Sequence, residues 1–251
     1  MTKIDLPSDY NSESIETIYK DTVLVIGTKP GSFLPNIKPK KIYTANMGIE
    51  RSIFYKQKNL NTKIISVVGN GFFNFRDYIN KLKHSHPNEL VTTNGKINLK
   101  EFFDTDFINE IKYRYIENKG KDLQRKYFNS IIFRLADMGL IFTNKNKLFG
   151  ILRYVYNILI KQRPPMGFTT GCLTVLLALI ENNTYKVIVT GIGLKGGKHH
   201  HQSNRSYPDY RGWADAYLMK RLPASLKSRL ITTDLNFSKI VGVKLLENDI
   251  K

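Results

Sequence analysis

Cysteine is nearly absent from this 251-residue chain. The single Cys172 excludes a disulfide framework and any four-cysteine zinc site. Long hydrophobic runs are missing too: the longest largely apolar stretch, Cys172 to Ile180, is about half of the roughly 20 residues that span a bilayer. Acidic residues are scarce, 21 against 39 Lys and Arg, which leaves a formal net charge of +18. A surplus of that size bears on partners rather than on fold, and it points to phosphate, nucleic acid, anionic lipid or a sugar acid. The opening residues, MTKIDLPSDYNSES, are polar and carry acids, without the pattern of a secretory signal. A soluble or peripheral intracellular protein is the expectation.

What is present is globular: 41% hydrophobic, 12% aromatic and 24% charged residues. Residues 1–20 read as a polar lead-in, and 21–251 as one domain. Thr22-Val-Leu-Val-Ile26, Lys41-Ile-Tyr-Thr-Ala45, Lys63-Ile-Ile-Ser-Val-Val68 and Lys186-Val-Ile-Val-Thr190 are short β-branched runs. Each is followed by Gly or Asn, as expected of buried parallel strands. Cys172 to Glu181 reads as an apolar helix leading through Asn182-Asn-Thr184 into the last of these strands. The predicted class is therefore α/β: a Rossmann-like, doubly wound, mostly parallel sheet. Apolar residues recur at helical spacing over 99–118 (Phe102, Phe103, Phe107, Ile111, Tyr115) and over 123–138, with a short strand candidate at Leu140-Ile-Phe142. On that basis about 75–145 reads as a helical insertion or lid. A helix over 148–160, a helix over 214–221, a strand over 229–232 and a final helix from Phe237 complete the prediction.

Three segments carry chemistry. Val23-Leu-Val-Ile-Gly-Thr-Lys-Pro-Gly-Ser32 is a strand entering a glycine turn, whose backbone N–H groups and the Thr28 and Ser32 hydroxyls suit a phosphate. It matches neither the dinucleotide nor the phosphate-loop spacing. Phe168-Thr-Thr-Gly171 places hydroxyls and amides at the positive end of a helix. Lys198-His-His-His201 lies in a glycine-rich cationic stretch after a strand's carboxyl end, where active-site loops sit in open α/β sheets. Three adjacent histidines cannot converge on one metal, and no carboxylate lies nearer than Asp209, so no metal site is read here. One of these histidines is a candidate general base near neutral pH, and the other reading of the stretch is a solvated polar loop. His84 and His86, in a polar stretch before Pro87, read as surface loop residues.

Taken as a set, Gly27-Thr-Lys-Pro-Gly-Ser32, Tyr43-Thr-Ala-Asn46, Thr169-Thr-Gly171 and Thr190-Gly191 resemble the bacterial sialyltransferases that use CMP-sialic acid. That family has a G-N-G-P-S-type turn, a strand ending in asparagine, a T-S-G turn opening an apolar helix, and a strand ending in S-G. The resemblance covers about 80 of the 251 residues. It implies an inverting transfer of sialic acid, or a related sugar acid such as Kdo, from a CMP-sugar to a hydroxyl of a cell-surface glycan or glycolipid. It implies no metal and no cofactor beyond the CMP-sugar donor. By match, Gly27, Thr28, Ser32, Asn46, Thr169, Thr170 and Gly171 contact the nucleotide-sugar, joined by Lys195 where the family has a phosphate-contacting aromatic residue. Arg205, Tyr207 and Tyr210 are further candidates for that contact. The base falls among His199, His200 and His201, with His201 favoured. The chain departs from the family at Thr28, in place of asparagine, and at Lys29, in place of glycine. The implied place of work is the cytoplasm, at the inner face of the membrane, where the positive charge would meet anionic lipid.

Two other readings use the same residues. A basic nucleic-acid-binding protein accounts for the charge and the many aromatics, although the aromatics follow helical core spacing. Another Rossmann nucleotide-dependent transferase, such as a methyltransferase, fits the first strand and turn. It lacks the acidic residue expected to close the second strand on a ribose.

Overall fold

A computed structural model of the chain describes residues 21–29, 32–93, 95–129, 167–194, 197–199, 202–207 and 209–246, with scattered helical positions between 131 and 155. Four buried strands form where the β-branched runs predict them: β1 (Thr22–Ile26), β2 (Lys41–Ala45), β3 (Lys63–Val68) and β6 (Lys186–Thr190). Two short strands precede β6: β4 (Glu89–Thr92) and β5 (Lys112–Tyr115). With β9 (Leu230–Thr232) and β10 (Lys244–Leu245) they make one eight-stranded sheet of order β10-β9-β6-β1-β2-β3-β4-β5. Every neighbouring pair in it is parallel.

Parallel strands need crossovers, and these cover both faces. On one face lie α1 (Ile49–Lys58), α2 (Arg76–Ser85) and α3 (Thr105–Glu110). Their Tyr55, Leu82 and Phe107 pack with Leu24, Ile42, Ile64 and Leu90 of the strands. On the other lie α5 (Thr170–Glu181), α6 (Asp209–Lys220), α7 (Ala224–Lys227) and α8 (Leu235–Val241). There α5 packs Leu173, Leu176 and Leu179 with Val23, Val25, Tyr43, Val187 and Val189. Each such fully buried side chain contributes about 1.5–3 kcal/mol. The molecule is thus an α/β Rossmann-like protein. Its chain runs outward from β1 to β5, returns through α5 to the centre, and runs outward again from β6 to β10. The direction reverses between β1 and β6.

Several expectations need correction. The stretch read as a helical insertion over about 75–145 contributes β4 and β5 to the sheet. The predicted helix over 99–118 is divided into a 3-10 turn (Leu99–Glu101), the short α3, strand β5, and a second 3-10 turn (Glu117–Gly120). The spacing misled because α3 really does bury Phe107, while Lys112-Tyr-Arg-Tyr115 at the sheet edge alternates polar and aromatic residues with no apolar run. From Leu123 only α4 (Lys121–Arg125) and isolated helical positions are described, and Leu140-Ile-Phe142 lies outside the described residues. The histidine stretch, expected as a loop, holds an antiparallel hairpin of β7 (Gly197–His199) and β8 (Gln202–Tyr207). Among the described residues no helix is long and apolar enough to cross a membrane.

Candidate functional site

Open α/β sheets bind ligands beyond the carboxyl ends of their strands, where the strand order reverses. Here that point is held by two glycines. The Gly27 N–H donates to the Thr190 carbonyl at 2.8 Å, and the Lys29 N–H donates to the Gly191 carbonyl at 2.8 Å. The chains approach so closely that a methyl group on Gly27 would stand 2.2 Å from the Gly191 oxygen and 2.4 Å from Ile192 Cδ1. Gly191 adopts φ +71°, a left-handed conformation natural to glycine. The amides of Gly27 and Lys29 extend the β1–β6 ladder, so these two are not free to cradle a phosphate.

The loop after β1 is tied down by side chains. Ser32 Oγ donates to the Lys29 carbonyl at 3.0 Å and accepts from Arg51 Nη1 at 2.7 Å. Arg51 Nη2 donates to the Ser32 carbonyl at 2.5 Å, and Thr190 Oγ1 donates to the Phe33 carbonyl at 2.7 Å. The Lys29 ammonium pairs with Asp234, whose other oxygen accepts the Phe237 N–H at 2.8 Å and caps α8. The Ser32 hydroxyl, selected from sequence as a ligand contact, is therefore an anchor between its own loop and α1.

A second group gathers around Gly69, just past β3. Asn46 adopts φ +48°, and its Oδ1 accepts the Gly69 N–H at 3.1 Å, joining the ends of β2 and β3. Thr170 Oγ1 stands 3.0 Å, and Thr93 Oγ1 3.9 Å, from the place a methyl on Gly69 would occupy. The first turn of α5 reaches both groups: Thr170 faces Gly69, while a methyl on Gly171 would meet Ile192 Cδ1 at 3.3 Å.

The turn before α5 is held from two sides. Gln124 Oε1 accepts the Phe168 N–H at 2.9 Å. Asp215 of α6 accepts the Thr169 N–H at 2.9 Å on Oδ1 and the Thr169 hydroxyl at 2.5 Å on Oδ2. The Thr169 side chain makes no capping bond to the helix. Its proton is committed to a carboxylate that is 1% exposed, which makes Thr169 a structural member of the turn and leaves Thr170 as the hydroxyl facing the crevice. Cys172, fully buried, lies against the same carboxylate. Burial, and then Asp215, push its thiol pKa well up.

Gly27, Thr28, Ser32, Asn46, Thr169, Thr170 and Gly171 thus stand together at the carboxyl edge of the sheet. Lys195, His200 and His201 lie outside the described residues. His199 ends β7 opposite Gln202, and only its backbone is described. Arg51, Asp215, Gly69, Thr93, Ile192 and Asp234 were not read as site residues from sequence. Gly69 carried a signal, as the glycine closing a strand; Arg51 and Asp215 sit in helices with none. Gly191-Ile-Gly-Leu-Lys-Gly196 has the spacing of a dinucleotide fingerprint, but the next described element is strand β7 and not the helix that motif requires. Among the described residues no group of three or more His, Cys, Asp or Glu is placed to hold a metal ion. No protein-family model matches the chain, and neither a curated protein nor a solved structure matches it.

Proposed function

We propose that this chain is an inverting glycosyltransferase that moves a sialic acid, or a related sugar acid such as Kdo, from a CMP-sugar to a hydroxyl of a glycan or glycolipid. The observation that carries this reading is the convergence on one edge of the sheet of segments far apart in sequence. Gly27, Asn46, Thr170 and Gly171 surround the reversal point between β1 and β6. These are the segments that resemble the sialyltransferase pattern.

The chemistry divides between two sides of such a crevice. The donor sugar already carries a carboxylate beside its oxocarbenium-like centre, so the demanding steps are activating the acceptor and receiving the departing CMP phosphate. A histidine of the 199–201 stretch, in the connection leaving β6, would take the acceptor proton with a pKa near the working pH. Fixed donors at the edge of the sheet would receive the phosphate. Lys195 belongs to that same connection.

The test is a thermal-shift titration with CMP, CDP, UMP, GDP, S-adenosylmethionine and NAD, with and without EDTA. A ligand at a hundred times its dissociation constant stabilises the fold by about 2.7 kcal/mol. Selective stabilisation by cytidine nucleotides, unchanged by EDTA, is the expected result. Donor hydrolysis in His199→Ala, His200→Ala and His201→Ala variants then identifies the base. Stabilisation by a different nucleotide alone would discard the CMP-sugar reading.

A further inference from the structure

We propose that Arg51 is the cation that receives the phosphate of the bound nucleotide, a role resting on the cytidine-nucleotide reading above. Arg51 comes from the first turns of α1, on the face of the sheet opposite α5. Its guanidinium reaches the reversal point itself: a methyl group on Gly191 would stand 2.8 Å from Nη1, and 2.8 Å from the Gly27 carbonyl oxygen. Gly191 therefore lies beside a guanidinium, with the Gly27 carbonyl next to it.

Three observations point to an anion at that place. First, among the described residues Arg51 is hydrogen-bonded only to the neutral oxygens of Ser32 and pairs with no carboxylate. A neighbouring cation at this edge, Lys29, is already paired with Asp234. Second, the position is costly for a lone charge. Burial lowers the pKa of Arg51 and outweighs the opposing effect of Tyr55; a phosphate would offset that cost. Third, the amides of Gly27 and Lys29 are bonded to β6, so these two backbone donors are not available to an anion there. A planar fork presenting several N–H donors is the side chain best matched to a phosphate.

The bland alternative is that Arg51 only fastens the 29–33 loop, and the experiment separates the two. Calorimetric titrations compare CMP, cytidine and inorganic phosphate on the intact chain and on Arg51→Gln and Arg51→Lys. The intact chain should bind CMP at least about tenfold more tightly than cytidine, the strength expected of one charge-assisted contact. Arg51→Gln should bring the two ligands to within about twofold of each other with cytidine affinity unchanged, and Arg51→Lys should retain part of the preference. Equal weakening of CMP and cytidine would show a loop anchor and overturn the proposal while leaving the nucleotide reading intact. If neither CMP nor cytidine binds but phosphate binds in an Arg51-dependent way, the nucleotide reading fails and the anion site stands. No Arg51-dependent binding of any of the three overturns it. Should Arg51→Gln not fold, phenylglyoxal labelling of Arg51 in the intact chain decides. Protection by CMP or phosphate and not by cytidine is expected, and unprotected labelling under saturating CMP overturns the proposal.

Discussion

A buried carboxylate survives only when its oxygens are supplied with donors. Asp215 has the Thr169 N–H and the Thr169 hydroxyl, and the Cys172 thiol lies against it. Because these donors sit on the turn that opens α5, one charge on α6 sets the position of the candidate binding turn. Thr169→Val keeps the shape and removes one donor, and is expected to lower stability in urea unfolding by about 1–2 kcal/mol. Thr169→Ser should restore it. A Thr169→Val protein as stable as the parent would remove Asp215 from this role. The same site makes a prediction about Cys172. Its thiol pKa is raised in the fold, so the unfolded chain loses this proton at lower pH than the folded one. The contribution to stability is complete below the ordinary thiol range and declines as pH rises through it. In the native state, Ellman's reagent at pH 8 should therefore leave Cys172 untouched. One equivalent should react after denaturation, and rapid native labelling would contradict the packing around Asp215.

At the scale of elements, the union of β1 and β6 depends on two residues without side chains. Gly191→Ala places a methyl 2.8 Å from both Arg51 Nη1 and the Gly27 carbonyl, at φ +71°. The left-handed backbone alone costs roughly 1–2 kcal/mol, and the contacts add to it. A fall in melting temperature of several degrees is expected for a domain of this size, at about 2–4 °C per kcal/mol. Gly71→Ala is the control, since nothing lies within 4 Å of the added methyl; its melting temperature should stay near that of the parent. Equal effects of the two changes would deny the close approach. The same elements explain what could be read in the sequence. β1, β2, β3 and β6 are buried on both faces, so each is a run of β-branched residues visible without a structure. β4 has four residues, and edge strand β5 is half-exposed, so neither rises above the helical periodicity of the phenylalanines beside it. Gly27, Asn46 and the Thr169–Gly171 turn were legible because small and polar residues must follow strands and open helices. Arg51 was not, because only the crossover through α1 brings it to Gly191, 140 positions further along the chain.

For the whole molecule, the +18 charge acts on any polyanion, so binding to nucleic acid is expected whatever the function. What distinguishes an accidental from an evolved interaction is its response to salt and sequence. Each phosphate neutralised on a single strand steepens the fall of log affinity with log salt by about 0.7, so contact through six phosphates costs about two to three orders of magnitude between 50 and 200 mM salt. A site for one nucleotide involves a single phosphate, and its affinity should change by only a few-fold over the same range. The predicted pattern is therefore a pair of curves. Binding to a mixed-sequence single-stranded RNA, followed by fluorescence anisotropy, collapses with salt and shows no preference among sequences. Stabilisation by CMP, followed by melting temperature, persists. A ligand site formed by the glycines, hydroxyls and Arg51 clustered at one edge of the sheet would hold its ligand when a diffuse field has been screened. If RNA binding instead stays tight and sequence-selective at physiological salt while CMP leaves the melting temperature unmoved, the charge is the functional surface. The crevice at β1 and β6 is then only the seam where a doubly wound sheet reverses direction.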